Sequence, residues 1–133
     1  MLDRVGHARR HLHLVLAAIR LINGGGALLV PRAYGRRMGV DPEVSPAGPY
    51  VLRLFGVRTV IIGAELLLRK GAALDEALRV GRIIHASDAI AAVLAGATGQ
   101  LPRRNAVLAA AISTVNTVLA FSARPRRRWS PLR

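Results

Sequence analysis

The chain has 133 residues, 52% of them hydrophobic but only 4% aromatic, no cysteine, and a formal net charge of +13. That is one domain's worth of sequence, and without cysteine it excludes disulfides, thiolate metal sites and cysteine nucleophiles. Mean hydropathy is +0.33 despite the charge, so basic and apolar residues occupy different segments, a pattern that favours a lipid bilayer over a nucleic acid.

The first apolar run, Leu12 to Val30, ends at Pro31 and contains Arg20, Asn23 and Gly24-Gly25-Gly26. A basic start would suit a signal peptide, but Arg20 interrupts the run and no Ala-x-Ala pattern follows, so a spanning helix over 11–31 is expected. The glycine triplet is not a phosphate loop, since no strand precedes it and no Lys-Ser/Thr follows. Pro31, Pro42, Pro46 and Pro49 make 32–49 an irregular external loop, with one short helical turn around Arg32 to Met38.

The second run, 50–69, carries Arg53, Arg58 and Glu65 and closes on Arg69-Lys70-Gly71. The third, 73–97, begins as a helix near Ala73, with Asp75 and Glu76 in its first turn at the positive end of the dipole. The apolar parts of both are short, and they span only if flanking arginines snorkel. The fourth, 104–123, has no charge from Ala106 to Ala123. A soluble four-helix bundle would need a polar face that the first and fourth runs lack. The expected fold is all-α: one membrane domain, an up-down bundle of four transmembrane helices, followed by a basic tail over 124–133.

Loop charges set the orientation. Twelve basic residues fall on the side of the termini and five on the other, which places both termini in the cytoplasm of a multi-pass cell-membrane protein. Tyr34 and Tyr50 then mark the outer interface and Trp129 the inner one.

Ionisable residues inside spans are expensive and therefore informative. Counting rise along each run puts Arg20, Glu65, Asp88 and Asn116 in the inner half of the membrane, with His85 on the same helical face as Asp88. Arg20 is expected to pair with Asp88, with Glu65 as the competing acid. Arg58 falls in the outer half, too far out for Asp88, and is expected to use Asn or backbone carbonyls or to snorkel. The candidate intramembrane cluster is thus Arg20, Glu65, His85, Asp88 and Asn116. It either fixes helix register or handles a proton or a ligand. In the tail, Arg124, Arg126, Arg127, Arg128 and Trp129 suit contact with anionic lipid, and a nucleic-acid role is disfavoured because such clusters are non-specific. Gly56, Gly63, Gly96 and the Ala106-x-x-x-Ala110-x-x-x-Thr114 stripe suit close helix approach.

Arg20 with its glycines ending at Pro31, Leu54-Phe55-Gly56-Val57-Arg58 with Gly63 and Glu65, and His85 with Asp88 together carry a resemblance. The chain resembles an uncharacterised group of small four-helix bacterial membrane proteins that sits loosely near the DoxX-like families. The similarity covers about residues 10 to 122. It implies a four-helix membrane fold and supplies no reaction.

No Ser/His/Asp spacing, His-rich metal set or cofactor motif is present, so no enzyme activity, metal or cofactor is expected. The first functional expectation is a structural or accessory subunit that pairs with a second copy or a larger membrane complex. The alternative is a small carrier for a proton-coupled or amphipathic solute.

Overall fold

The structure, a computed structural model, describes the backbone of residues 2–41 and 43–123, with side chains from residue 11 onward. Every element among them is helical: α1 (Leu2–Leu29), α2 (Pro31–Arg37), α3 (Gly48–Leu68), α4 (Gly71–Ala97) and α5 (Arg103–Ser122). The basic tail and Trp129 lie outside the described residues.

Proline and glycine punctuate the chain. Pro31 cannot continue α1 and opens α2 at its first helical position, with Val30 pushed out of the helical region. The short turn expected around Arg32 to Met38 is α2. It closes in a Schellman arrangement, Val40 N–H bonding Gly35 C=O at 2.8 Å while Gly39 takes φ +79°. Gly99 ends α4 in the same way, with φ +73° and a 2.9 Å bond from Gln100 N–H to Ala95 C=O.

α4 begins at Gly71, earlier than the expected Ala73, so Asp75 and Glu76 lie beyond its first turn and do not cap the dipole there. The expected start is thus two residues late.

The four long helices form a ring. α1 packs chiefly on α3 and α4 chiefly on α5, while thinner seams join α1 to α5 and α3 to α4. α1 and α4 are therefore diagonal. Close backbone approach sets the first pair: a Cβ at Gly56 would lie 2.6 Å from Leu28 N, and one at Gly24 would lie 2.8 Å from Val60 N. Below these glycines, Leu16, Ala17, Ile62, Leu66, Ala77, Leu78, Ala120 and Ala123 make the apolar core.

α1 from His11 to Leu29, α4 and α5 are long and apolar enough to cross a membrane. α3 has the length, 21 residues or ~31 Å at helical rise, but Arg53, Arg58 and Glu65 interrupt its apolar stretch.

Candidate functional site

The buried polar residues belong to different helices and share a level. Arg20 follows Leu16 by one turn on α1, and Thr59 precedes Ile62 on α3 by three residues. His85 follows Leu78 on α4, and Asn116 precedes Ala120 on α5. Because the helices alternate in direction, each of these steps leads the same way, up from the apolar core. The α4–α5 register agrees. A Cβ at Gly96 would lie 2.6 Å from that of Ala106, and ten residues down each helix bring Ala86 opposite Asn116. Arg20, Thr59, His85 and Asn116 thus form a belt near the mid-length of the helices, each at most 4% exposed.

Arg20 crosses the ring. Its Nη2 donates to His85 Nε2 at 3.2 Å, and its Nη1 lies 3.9 Å from Asp88 Oδ2. An arginine only donates, so Nε2 must accept and the His85 proton resides on Nδ1. A ring held in this way is neutral.

The sequence reading needs correction at several of these positions. Arg58 was expected to miss Asp88, yet its Nη2 donates to Asp88 Oδ1 at 2.9 Å. The wholly apolar part of this run begins only at Ile83, and depth counted from there sets Asp88 low, whereas α4 starts at Gly71 and carries Asp88 to a level Arg58 can reach. Glu65, expected in the cluster, turns away to Arg69 on its own helix. Tyr34, expected at the outer interface, packs against α1. It tucks inward, its ring 3.1 Å from where a Gly26 Cβ would stand and its hydroxyl 3.4 Å from Asn23 Oδ1 as donor. Burial pushes the Tyr34 hydroxyl above the usual tyrosine range, partly opposed by the Arg20 charge.

Thr59 was missed, although Gly56, Thr59 and Gly63 make a small-residue face at helical spacing. Thr98, Thr114 and Thr117 each satisfy their hydroxyls on a carbonyl of their own helix. Thr59 Oγ1 is buried with no partner, as are Arg20 Nε, His85 Nδ1 and Asn116 Oδ1. Unserved groups of this kind cost about 1–3 kcal/mol each.

Separately, an open depression of about 580 Å³ lies at the α2 end of the bundle, lined by Leu29, Arg32, Tyr50 and Arg53 among others. Its lining does not include Arg20, His85, Asp88 or Asn116. No group of acidic and histidine residues that could hold a metal occurs among the described residues.

No family model, curated protein or solved structure matches the chain.

Proposed function

We propose that the chain is a four-span integral membrane protein with both termini cytoplasmic, acting as a structural or accessory subunit of a membrane assembly. The observation that carries this reading is the inversion of the usual order of burial. Leu54, Ile61, Ile83, Ile90, Val107 and Phe121 are all more than half exposed, while Arg20, Thr59, His85 and Asn116 are buried. In water this arrangement would expose far more contiguous apolar surface than a soluble monomer tolerates. In lipid it is the expected one, because small residues and polar side chains hold helices together there.

α3 can serve as the fourth span because two of its charges are answered, Arg58 by Asp88 and Glu65 by Arg69, while Arg53 lies near its start in the open depression. The surplus of basic residues on the terminal side supports the orientation. The resemblance to small bacterial four-helix membrane proteins fits the same reading. Single-cysteine labelling in intact cells tests it: Ser45→Cys reacts with an impermeant reagent and Ala72→Cys, at the start of α4, does not. Labelling of both, or of Ala72→Cys alone, overturns the topology.

The carrier reading is favoured by one observation, the approach of Arg20 to both His85 and Asp88, which stand three residues apart on α4. An accessory subunit co-purifies with a partner in mild detergent and moves no solute. A carrier gives pH-dependent flux in proteoliposomes, abolished by Asp88→Asn.

A further inference from the structure

The depression at the α2 end of the bundle collects positive charge from two elements. Arg32 reaches it from α2 and Arg53 from α3, and no acidic side chain lines it. Among the described residues neither arginine stands within ion-pair distance of a carboxylate, whereas Arg58, Arg69 and Arg79 each have one. Pro46 and Pro49, with their fixed φ, stiffen the wall. At about 580 Å³ the hollow falls within the ~300–1,000 Å³ of sites that take small organic ligands.

Its place along the bundle decides which ligand meets it. The apolar part of α1 runs 19 residues from His11 to Leu29, roughly 28 Å at helical rise. A bilayer's hydrocarbon core is about 30 Å thick. On the membrane reading Leu29 therefore stands at the hydrocarbon boundary, and Arg32, past the Pro31 corner, stands in the headgroup layer. Arg53 lies on α3 a little over one turn after Gly48. Its Cα–Cβ bond tilts toward the start of that helix, which aims the guanidinium at the same layer. Leu29 and Val30 flank the hollow as bare hydrocarbon, 77% and 55% exposed. A free anion would leave that hydrocarbon uncovered, whereas a lipid brings charge and acyl chain together.

We infer that the depression holds the phosphate of one anionic glycerophospholipid between Arg32 and Arg53, with an acyl chain against Leu29 and Val30. The inference rests on the membrane reading and assigns it a ligand at the α2 end. Each guanidinium presents paired N–H donors that match two phosphate oxygens, and the Tyr50 hydroxyl in the lining can donate a further bond. A zwitterionic lipid carries its own ammonium group, which the second arginine repels. An anionic headgroup is therefore preferred.

The test uses the full chain purified in detergent, with thermal unfolding followed by circular dichroism. Phosphatidylglycerol, phosphatidylcholine or inorganic phosphate is titrated in at constant ionic strength. The expected result is a saturable rise in Tm of several degrees with phosphatidylglycerol, at least tenfold weaker affinity for phosphatidylcholine, and no rise with phosphate. Arg32→Gln with Arg53→Gln, both at exposed positions, should weaken the phosphatidylglycerol response at least tenfold. Arg126→Gln with Arg127→Gln should leave it unchanged, which separates the depression from the basic tail. Equal affinity for the two lipids overturns the inference, as does saturation by inorganic phosphate alone or a response unchanged in the Arg32/Arg53 variant. A chain recovered with soluble protein when cells are broken refutes the membrane reading itself. A chain extracted from membranes that shows no lipid response refutes only the site.

Discussion

Arg58 Nη2 meets Asp88 Oδ1 at 2.9 Å across the α3–α4 seam, although their backbones are not level. Arg58 stands ten residues before Leu68 and Asp88 seventeen after Gly71, an offset of roughly 10 Å at helical rise. The direction of side chains on helices closes that gap. Each Cα–Cβ bond tilts toward its own N-terminus, so on antiparallel helices Arg58 leans up and Asp88 leans down.

The pair should therefore show coupling in a double-mutant cycle. Arg58→Gln and Asp88→Asn each lower stability in detergent, and the double variant recovers about 0.5–3 kcal/mol of the summed loss. Asp88→Asn should be the more damaging, because Asp88 also faces Arg20. Strict additivity would mean that the two side chains do not meet.

His85 should be replaceable by an acceptor and not by a hydrocarbon. His85→Leu leaves Arg20 Nη2 unserved and should cost about 1–3 kcal/mol, whereas His85→Gln retains an acceptor and should lose less. Nitrogen-15 NMR of the His85 ring should report the proton on Nδ1. A proton on Nε2 would contradict the Arg20 bond.

Among the glycines, position decides the outcome. Gly56→Ala pushes a methyl into the backbone of Leu28 at 2.6 Å, and overpacking of that kind costs about 1–3 kcal/mol. Gly25→Ala meets nothing within 4 Å and should be neutral or slightly stabilising, since alanine is the better helix former. Unfolding of both variants against the parent checks the contrast. Equal effects would argue against the α1–α3 register.

Tyr34 links the fold to alkaline pH. Its raised folded value means that the native state keeps the proton longer than the unfolded chain does. Its contribution is therefore fully present below the ordinary tyrosine value near 10 and is lost as pH rises through the higher folded one. In a Tyr50→Phe background, tyrosinate absorbance should appear above the usual range, and Tyr34→Phe should remove that part of the alkaline instability. Ionisation at or below the ordinary value would mean that Tyr34 is not tucked against α1.

Much of the helical layout was legible in the residues. Pro31, the Arg69-Lys70-Gly71 stop and the uncharged run from Ala106 mark boundaries through backbone chemistry that acts locally. Depth was less legible, because α4 enters through polar turns that hydropathy does not count as helix. The partners of Arg20 and Arg58 were harder still. Which helices are neighbours and which are diagonal depends on close approaches such as Gly24 on Thr59, and a list of apolar runs carries no ring order. Thr59 escaped notice because a helical hydroxyl ordinarily bonds its own backbone, as Thr114 does.

The diagonal bond from Arg20 to His85 joins residues 65 positions apart, and that separation acts on the nascent chain. At ~5–20 residues per second, ribosomal synthesis brings out His85 roughly 3–13 s after Arg20. On the proposed membrane reading, α1 enters lipid during that interval with its central arginine unmatched, at an insertion cost of about 2.5–3.5 kcal/mol. The buried charge of the first helix thus waits for the third of the four long helices. Truncation before α4 should leave α1 loosely held and open to quality-control proteases, whereas a chain extended past Asp88 should resist them.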